Sequence, residues 1–168
     1  EGIDQYYGLA RDAQHPTFHL IAHPQDIQKV KSFDLSIDRR DSGINPLQNV
    51  WYNFLIEVHD AGSETKIRAK IWPESEIASA EYVIDAIDDS DIRIKSGAAG
   101  VWASAAGSKY FSNLKVYRDH KIYENFDGYS AGQDPSNWRD TKANSSNEED
   151  NSLFKTYDLQ GRTVFGTR

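Results

Sequence analysis

Acidic residues, histidines and tryptophans are where this chain could do chemistry. The close carboxylates are Glu74 and Glu76, Glu81 and Asp85, and the run Asp88, Asp89 and Asp91. Two carboxyl groups about 5–9 Å apart could cleave a glycosidic bond, one as acid and the other as base or nucleophile. Glu81 and Asp85 are spaced to share one face of a strand. Glu57, however, is the only carboxylate on the strongest strand, so a solvated acidic turn is the better reading and no enzyme is expected. His15, His19 and His23 recur every fourth residue, and on a strand His19 and His23 share a face. That pair could hold a transition metal, but spacing yields no third ligand. Hydrogen-bonded strand histidines, or sugar contacts, are the better reading. Sugar recognition stacks apolar sugar faces on aromatic rings and fixes hydroxyls with polar groups. Trp51 and Trp72, with Asn53, Glu57, Arg68 and Lys70 beside them, meet that requirement. Tyr6, Tyr7, His19 and His23 make a second candidate patch, whereas Trp102 and Trp138 read as core or loop anchors.

The first patch is positioned by residues 51–72, WYNFLIEVHDAGSETKIRAKIW, which read as a β-hairpin. Tyr52, Phe54, Ile56 and Val58 alternate on one strand, and Ile67, Ala69 and Ile71 on the other. Asp60-Ala61-Gly62-Ser63 supplies the turn. Pairing Val58 with Ile67, Ile56 with Ala69 and Phe54 with Ile71 gathers the apolar groups on an expected core face. Glu57 then stands opposite Arg68, and Asn53 beside Trp72. Slipping by one residue would bury Glu57, Arg68 and Lys70, so the register is well specified.

Elsewhere, short strands are expected over 4–9, 17–23, 33–37, 82–87, 92–94, 109–117, 122–127, 152–157 and 162–166. A phase change near Asn113 predicts a bulge. Phe111, Leu114 and Val116 are candidate core groups, and Asp158-Leu159-Gln160-Gly161 is a turn. No helix longer than two turns is expected, and many short strands between turns indicate an all-β sandwich or barrel. The 168 residues suffice for a sizeable core. A net charge of −7 without a basic block argues against nucleic acid and anionic membranes. Zero Cys removes disulfides, thiolate catalysis and Cys-ligated metals. The chain starts in mid-pattern at Glu1 and contains no Met, which predicts a segment of a longer product.

Several phrases together resemble the concanavalin A-like, laminin-G-like jelly-roll modules of bacterial extracellular proteins. They are WYNFLIEV (51–58), IRAKIW (67–72), GVW (100–102), YFSNLKV (110–116), FDGYSAGQDPSNW (126–138) and LFKTYDLQGRTVFGT (153–167). The resemblance implies a two-sheet antiparallel jelly-roll β-sandwich located outside the cell or on its surface. It further implies polysaccharide binding and a structural Ca²⁺ near the meeting of first and last strands, with Glu124, Asp127 and Asn113 at the matching positions. Where such modules often carry Asp, this chain has Asn113. The alternating acidic pattern of the catalytic members is not reproduced. The order is also reversed: the YFSNLKV strand that usually closes a module precedes the FDGYS segment that usually opens one. Residues 1–121 are therefore expected to form the main part of a sandwich ending in its closing strand. Residues 122–168 would open either the same sandwich, circularly permuted, or the next module of a tandem array. Either arrangement predicts open sheet edges that would join neighbouring modules or like chains.

Overall fold

The computed structural model describes residues 5–23, 30–32, 40–103, 107–117, 126–133 and 154–167. Among these the chain is all-β, in antiparallel sheets and with no helix. Nine strands occur among the described residues: β1 (Tyr6–Ala10), β2 (His19–His23), β3 (Val30–Ser32), β4 (Tyr52–Asp60), β5 (Thr65–Pro73), β6 (Ile84–Asp88), β7 (Lys109–Phe111), β8 (Lys155–Leu159) and β9 (Arg162–Thr167). They form three sheets, ordered β1-β2, β3-β6-β5-β4 and β7-β9-β8. The chain divides into two compact units, Glu1–Gly97 and Ala98–Arg168.

In the first unit the hairpin register is the expected one. Val58 faces Ile67, Ile56 faces Ala69, Phe54 faces Ile71, Glu57 faces Arg68 and Asn53 faces Trp72. β6 adds to the other side of β5, placing Ala86 beside Ile67 and Ile84 beside Ala69. The core is Leu20, Ile67, Ala69, Ile84 and Ala86, with Tyr7, Leu9, Ala22 and Val83 packed against it. Alternation along β1 and β2 sends Tyr7, Leu9, Leu20 and Ala22 onto β5 and β6, so a two-stranded layer covers a four-stranded one.

That cover stops short of β4. The alternation predicts a buried face for Phe54, Ile56 and Val58, but they are 44%, 51% and 52% exposed. Phe18 packs edge-on against Tyr52 and Phe54, with ring centroids 5.9 and 5.0 Å apart, and shields that end only in part. Among the described residues β4 is thus an edge strand whose apolar face is largely exposed.

A buried polar network closes this unit. The Tyr7 hydroxyl donates to Asp88 Oδ2 at 2.6 Å and accepts from the Ile94 amide at 3.1 Å. Asp88, fully buried, also accepts from the Ser90 amide at 2.9 Å. Thr65 Oγ1 donates to the Ile94 carbonyl at 2.9 Å. Arg93 pairs with Asp60 Oδ1 at 2.9 Å and donates to the Gly62 carbonyl, which pins the β4–β5 turn. Gly62 takes a φ of 88° there, a conformation open to glycine at little cost. The expected strand 92–94 is this polar segment instead, and β6 begins at Ile84 rather than Tyr82.

In the second unit β9 lies between β7 and β8. Gln160 and Gly161, both with positive φ, form the two-residue loop joining β8 to β9, which suits a tight hairpin. Phe126 is fully buried and stacks on Phe165 at 5.0 Å, and Phe154 packs on the same ring at 5.2 Å. Thr156 Oγ1 donates to the Ser130 carbonyl at 2.5 Å, tying the 126–133 turn to β8. β7 ends at Phe111, and Asn113 takes a φ of 52° where the phase change is expected. Beyond that point Val116 is 43% exposed rather than buried. The strand expected to close a sandwich of residues 1–121 is this β7, and it pairs with β9 within the second unit.

Candidate functional site

On the outer face of β4, β5 and β6, register alone builds three rows of side chains. Asn53 stands beside Trp72, Leu55 beside Lys70, and Glu57 beside Arg68 and then Asp85. Arg68 Nε bonds Asp85 Oδ1 at 3.2 Å. Tyr82, just ahead of β6, lies across these rows. Its hydroxyl donates to Glu57 Oε2 at 2.8 Å. Arg68 and Lys70 sit 5.4 and 4.9 Å from its ring centroid, within cation–π range. Lys70 Nζ also donates to the Ser79 and Ala80 carbonyls at 3.0 and 2.6 Å, which draws the 79–82 segment onto the sheet. The bond to Glu57, and then burial, raises the Tyr82 hydroxyl pKa. The sequence reading placed Tyr82 at the start of a strand over 82–87 and gave it no such role.

Trp51 and Trp72 are both half-buried at the Asn53 end of this face. The Trp51 carbonyl accepts from the Glu74 amide at 2.8 Å and closes that end of the hairpin. The structure therefore gathers Trp72, Asn53, Glu57 and Arg68 on one sheet face, with Trp51 leading into it. Trp102, expected as an anchor, is 64% exposed, and Trp138 lies outside the described residues.

The second patch is divided. Tyr6 pairs with His23 across β1 and β2, and their rings stack at 5.2 Å. Tyr7 points to the opposite face, toward Asp88, where burial and that hydrogen bond push its hydroxyl up to about 12. His19 shares the Tyr6 face but is buried at its other end, beside the 11–16 loop. There it meets His15, already named by the four-residue recurrence, and Asp12, which that recurrence did not supply. Asp12, His15 and His19 place one ligand atom each within 4.8 Å of one another. Backbone amides, His15 first, hold the Asp12 carboxyl below its ordinary range.

Among the remaining candidates, Asp85 is bonded to Arg68, and Asp88 to Tyr7 and Ser90. Glu74, Glu76 and Glu81 are exposed. Of the positions that the resemblance assigns to calcium, Asn113 and Asp127 are exposed, and Glu124 lies outside the described residues. No family model, curated protein or solved structure matches the chain.

Proposed function

We propose that this chain is a non-catalytic carbohydrate-binding module of a larger surface or secreted protein, taking a polysaccharide across the outer face of β4–β6. The observation that carries the reading is the row Asn53–Trp72 beside the braced group Glu57–Tyr82–Arg68. A tryptophan paired with an asparagine in the sheet register, with a carboxylate and a guanidinium braced against Tyr82, suits the mixed apolar and hydroxyl surface of a sugar chain. The braced side chains have little rotamer freedom left to lose when a ligand arrives, and this favours binding. Within this reading the jelly roll is permuted. Phe126 of the opening segment stacks on Phe165, and Phe165 stands opposite Phe111 of the closing strand, all in one unit. A structural Ca²⁺ on Glu124, Asp127 and Asn113 belongs to the same reading, and a rise in Tm on adding Ca²⁺ is its test. Polysaccharide binding on a glycan array should be strong for the native chain and lost in Trp72→Ala, with an unchanged circular-dichroism spectrum. A native chain that binds no polysaccharide refutes the reading.

A second reading is favoured by one specific observation, the exposed apolar edge of β4. In it the module joins a like chain edge to edge. Antiparallel self-pairing centred on Ile56 would set Phe54 opposite Val58, Glu57 opposite Leu55 and Asp60 opposite Tyr52, with no like charges opposed. Sedimentation showing dimers that Ile56→Lys abolishes would support it. A monomer at high concentration would exclude it.

A further inference from the structure

The connection between β1 and β2 brings three side chains of metal-binding type to one point, independently of the sugar-binding face. His19 opens β2 and is 7% exposed; Asp12 and His15 belong to the preceding loop. The loop is held by its own bonds. The Asp12 amide donates to the His15 carbonyl at 3.1 Å, and Arg11 Nε donates to the Pro16 carbonyl at 3.1 Å. Asp12 Oδ1 accepts the Gln14 and His15 amides, each at 2.8 Å. Those bonds fix the carboxylate so that Oδ2 faces His19 Nε2 at 3.7 Å and His15 Nδ1 at 3.3 Å.

The arrangement of His19 is the informative part. Its Nδ1 lies 3.2 Å from the Thr17 carbonyl, which can only accept, so Nδ1 carries the proton. Nε2 is the nitrogen left to face the Asp12 carboxylate oxygen. Two acceptors directed at each other beside a buried ring are reconciled by a cation between them, either a proton on Nε2 or a metal ion. A histidine whose far nitrogen is fixed by a backbone carbonyl is also how proteins orient imidazole toward a metal. Bonds of about 2.0–2.1 Å in a tetrahedral site set the ligand atoms roughly 3.3 Å apart, and Asp12 Oδ2 lies 3.3 and 3.7 Å from the two imidazole nitrogens, with all three ligand atoms inside 4.8 Å.

We propose that Asp12 Oδ2, His15 Nδ1 and His19 Nε2 bind a divalent transition-metal ion of the zinc type. Two imidazoles and one carboxylate suit Zn²⁺ and its neighbours over Ca²⁺ or Mg²⁺, which prefer all-oxygen shells. The fourth position falls to water or to an outside donor. The bound ion clamps the 11–16 loop onto β2.

The test is calorimetric titration of the full chain with Zn²⁺, together with visible absorption of its Co²⁺ form. Asp12→Asn and His15→Ala alter exposed loop side chains and should leave the fold intact, which His19→Ala would not guarantee. One ion per chain is expected, with Co²⁺ bands typical of nitrogen and oxygen ligation. Each loop variant should weaken binding more than about 100-fold, the upper end for losing a mere outer-shell partner. His23→Ala should bind as the native chain does. The proposal is overturned by a native chain that takes up no Zn²⁺, by binding that survives both loop variants, or by binding that His23→Ala reduces equally.

Discussion

Replacing Tyr7 with Phe removes one oxygen atom and two hydrogen bonds. Asp88, fully buried, loses the donor at 2.6 Å, and the Ile94 amide loses its acceptor at 3.1 Å. A hydrogen bond to a charged group contributes about 1.5–3 kcal/mol net, and an orphaned buried partner costs about 1–3 kcal/mol. Part of the second cost is recovered if the Ile94 segment relaxes toward water, so the expected loss is about 3 kcal/mol. For a unit of this size that lowers Tm by roughly 10–20 °C. Burial and the contact with Asp88 push the Tyr7 hydroxyl from 10.0 up to about 12. The folded chain thus holds this proton more tightly than the unfolded chain does. The associated stability is complete below pH 10 and is lost as pH rises to about 12. Tyr7 is only partly buried, and solvent screening limits this contribution to roughly 1–2 kcal/mol. Urea denaturation of both proteins between pH 8 and 12 provides the assay, because every other titrating group is common to them. The gap between native and Tyr7→Phe should be widest below pH 10 and narrow above it. A gap that stays constant to pH 12, or a Tm loss under about 2 °C, would refute the network as described.

Other substitutions probe other parts of the structure. A Cβ on Gly166 would lie 2.0 Å from the Lys109 carbonyl oxygen, so Gly166→Ala should cost at least about 3 kcal/mol or detach β7, read by urea denaturation and by hydrogen exchange at 109–111. Ile56→Ala should cost under about 1 kcal/mol because Ile56 is 51% exposed, whereas Ile84→Ala, at a fully buried position, should cost about 2–5 kcal/mol. The Gly62 amide, and then Arg93, hold the Asp60 carboxyl below its ordinary range. Its stability contribution is therefore present above about pH 4 and lost as pH falls further, and Asp60→Asn should flatten part of the acid limb of a Tm profile.

The hairpin register was legible because alternation rules out the one-residue slip that would bury Glu57, Arg68 and Lys70, and the turn residues Asp60-Ala61-Gly62-Ser63 fix where the chain reverses. The exposure of Phe54, Ile56 and Val58 was not legible. A period of two states which residues share a face, but not how far a second layer extends over it. The turn at Gln160-Gly161 was readable from local chemistry, whereas the phase change near Asn113, read as a bulge within a strand over 109–117, lies beyond a strand that ends at Phe111. The bond between Tyr7 and Asp88 joins residues 81 positions apart and leaves no local trace. The triad Asp12, His15 and His19 fell between these cases. Strand periodicity linked His19 to His23, yet the three-residue step from Asp12 to His15 is a loop spacing that an Asx turn closes. Tyr82 was placed in a strand over 82–87 because it alternates in phase with Ile84 and Ala86, and alternation does not show that the strand begins only at Ile84.

The buried network also has a consequence for how the chain is made. Tyr7 leaves the ribosome 81 residues ahead of Asp88 and 87 residues ahead of Ile94. β1 and β2 can pair at once, being close neighbours along the chain, but the sheet they cover is incomplete until β6 has emerged. The first unit therefore has to wait, with Leu20 and its neighbours open to water, until synthesis has passed residue 94. During that interval a nascent chain is most vulnerable to aggregation, and the segment from Asp88 to Ile94 is the latch whose arrival ends it.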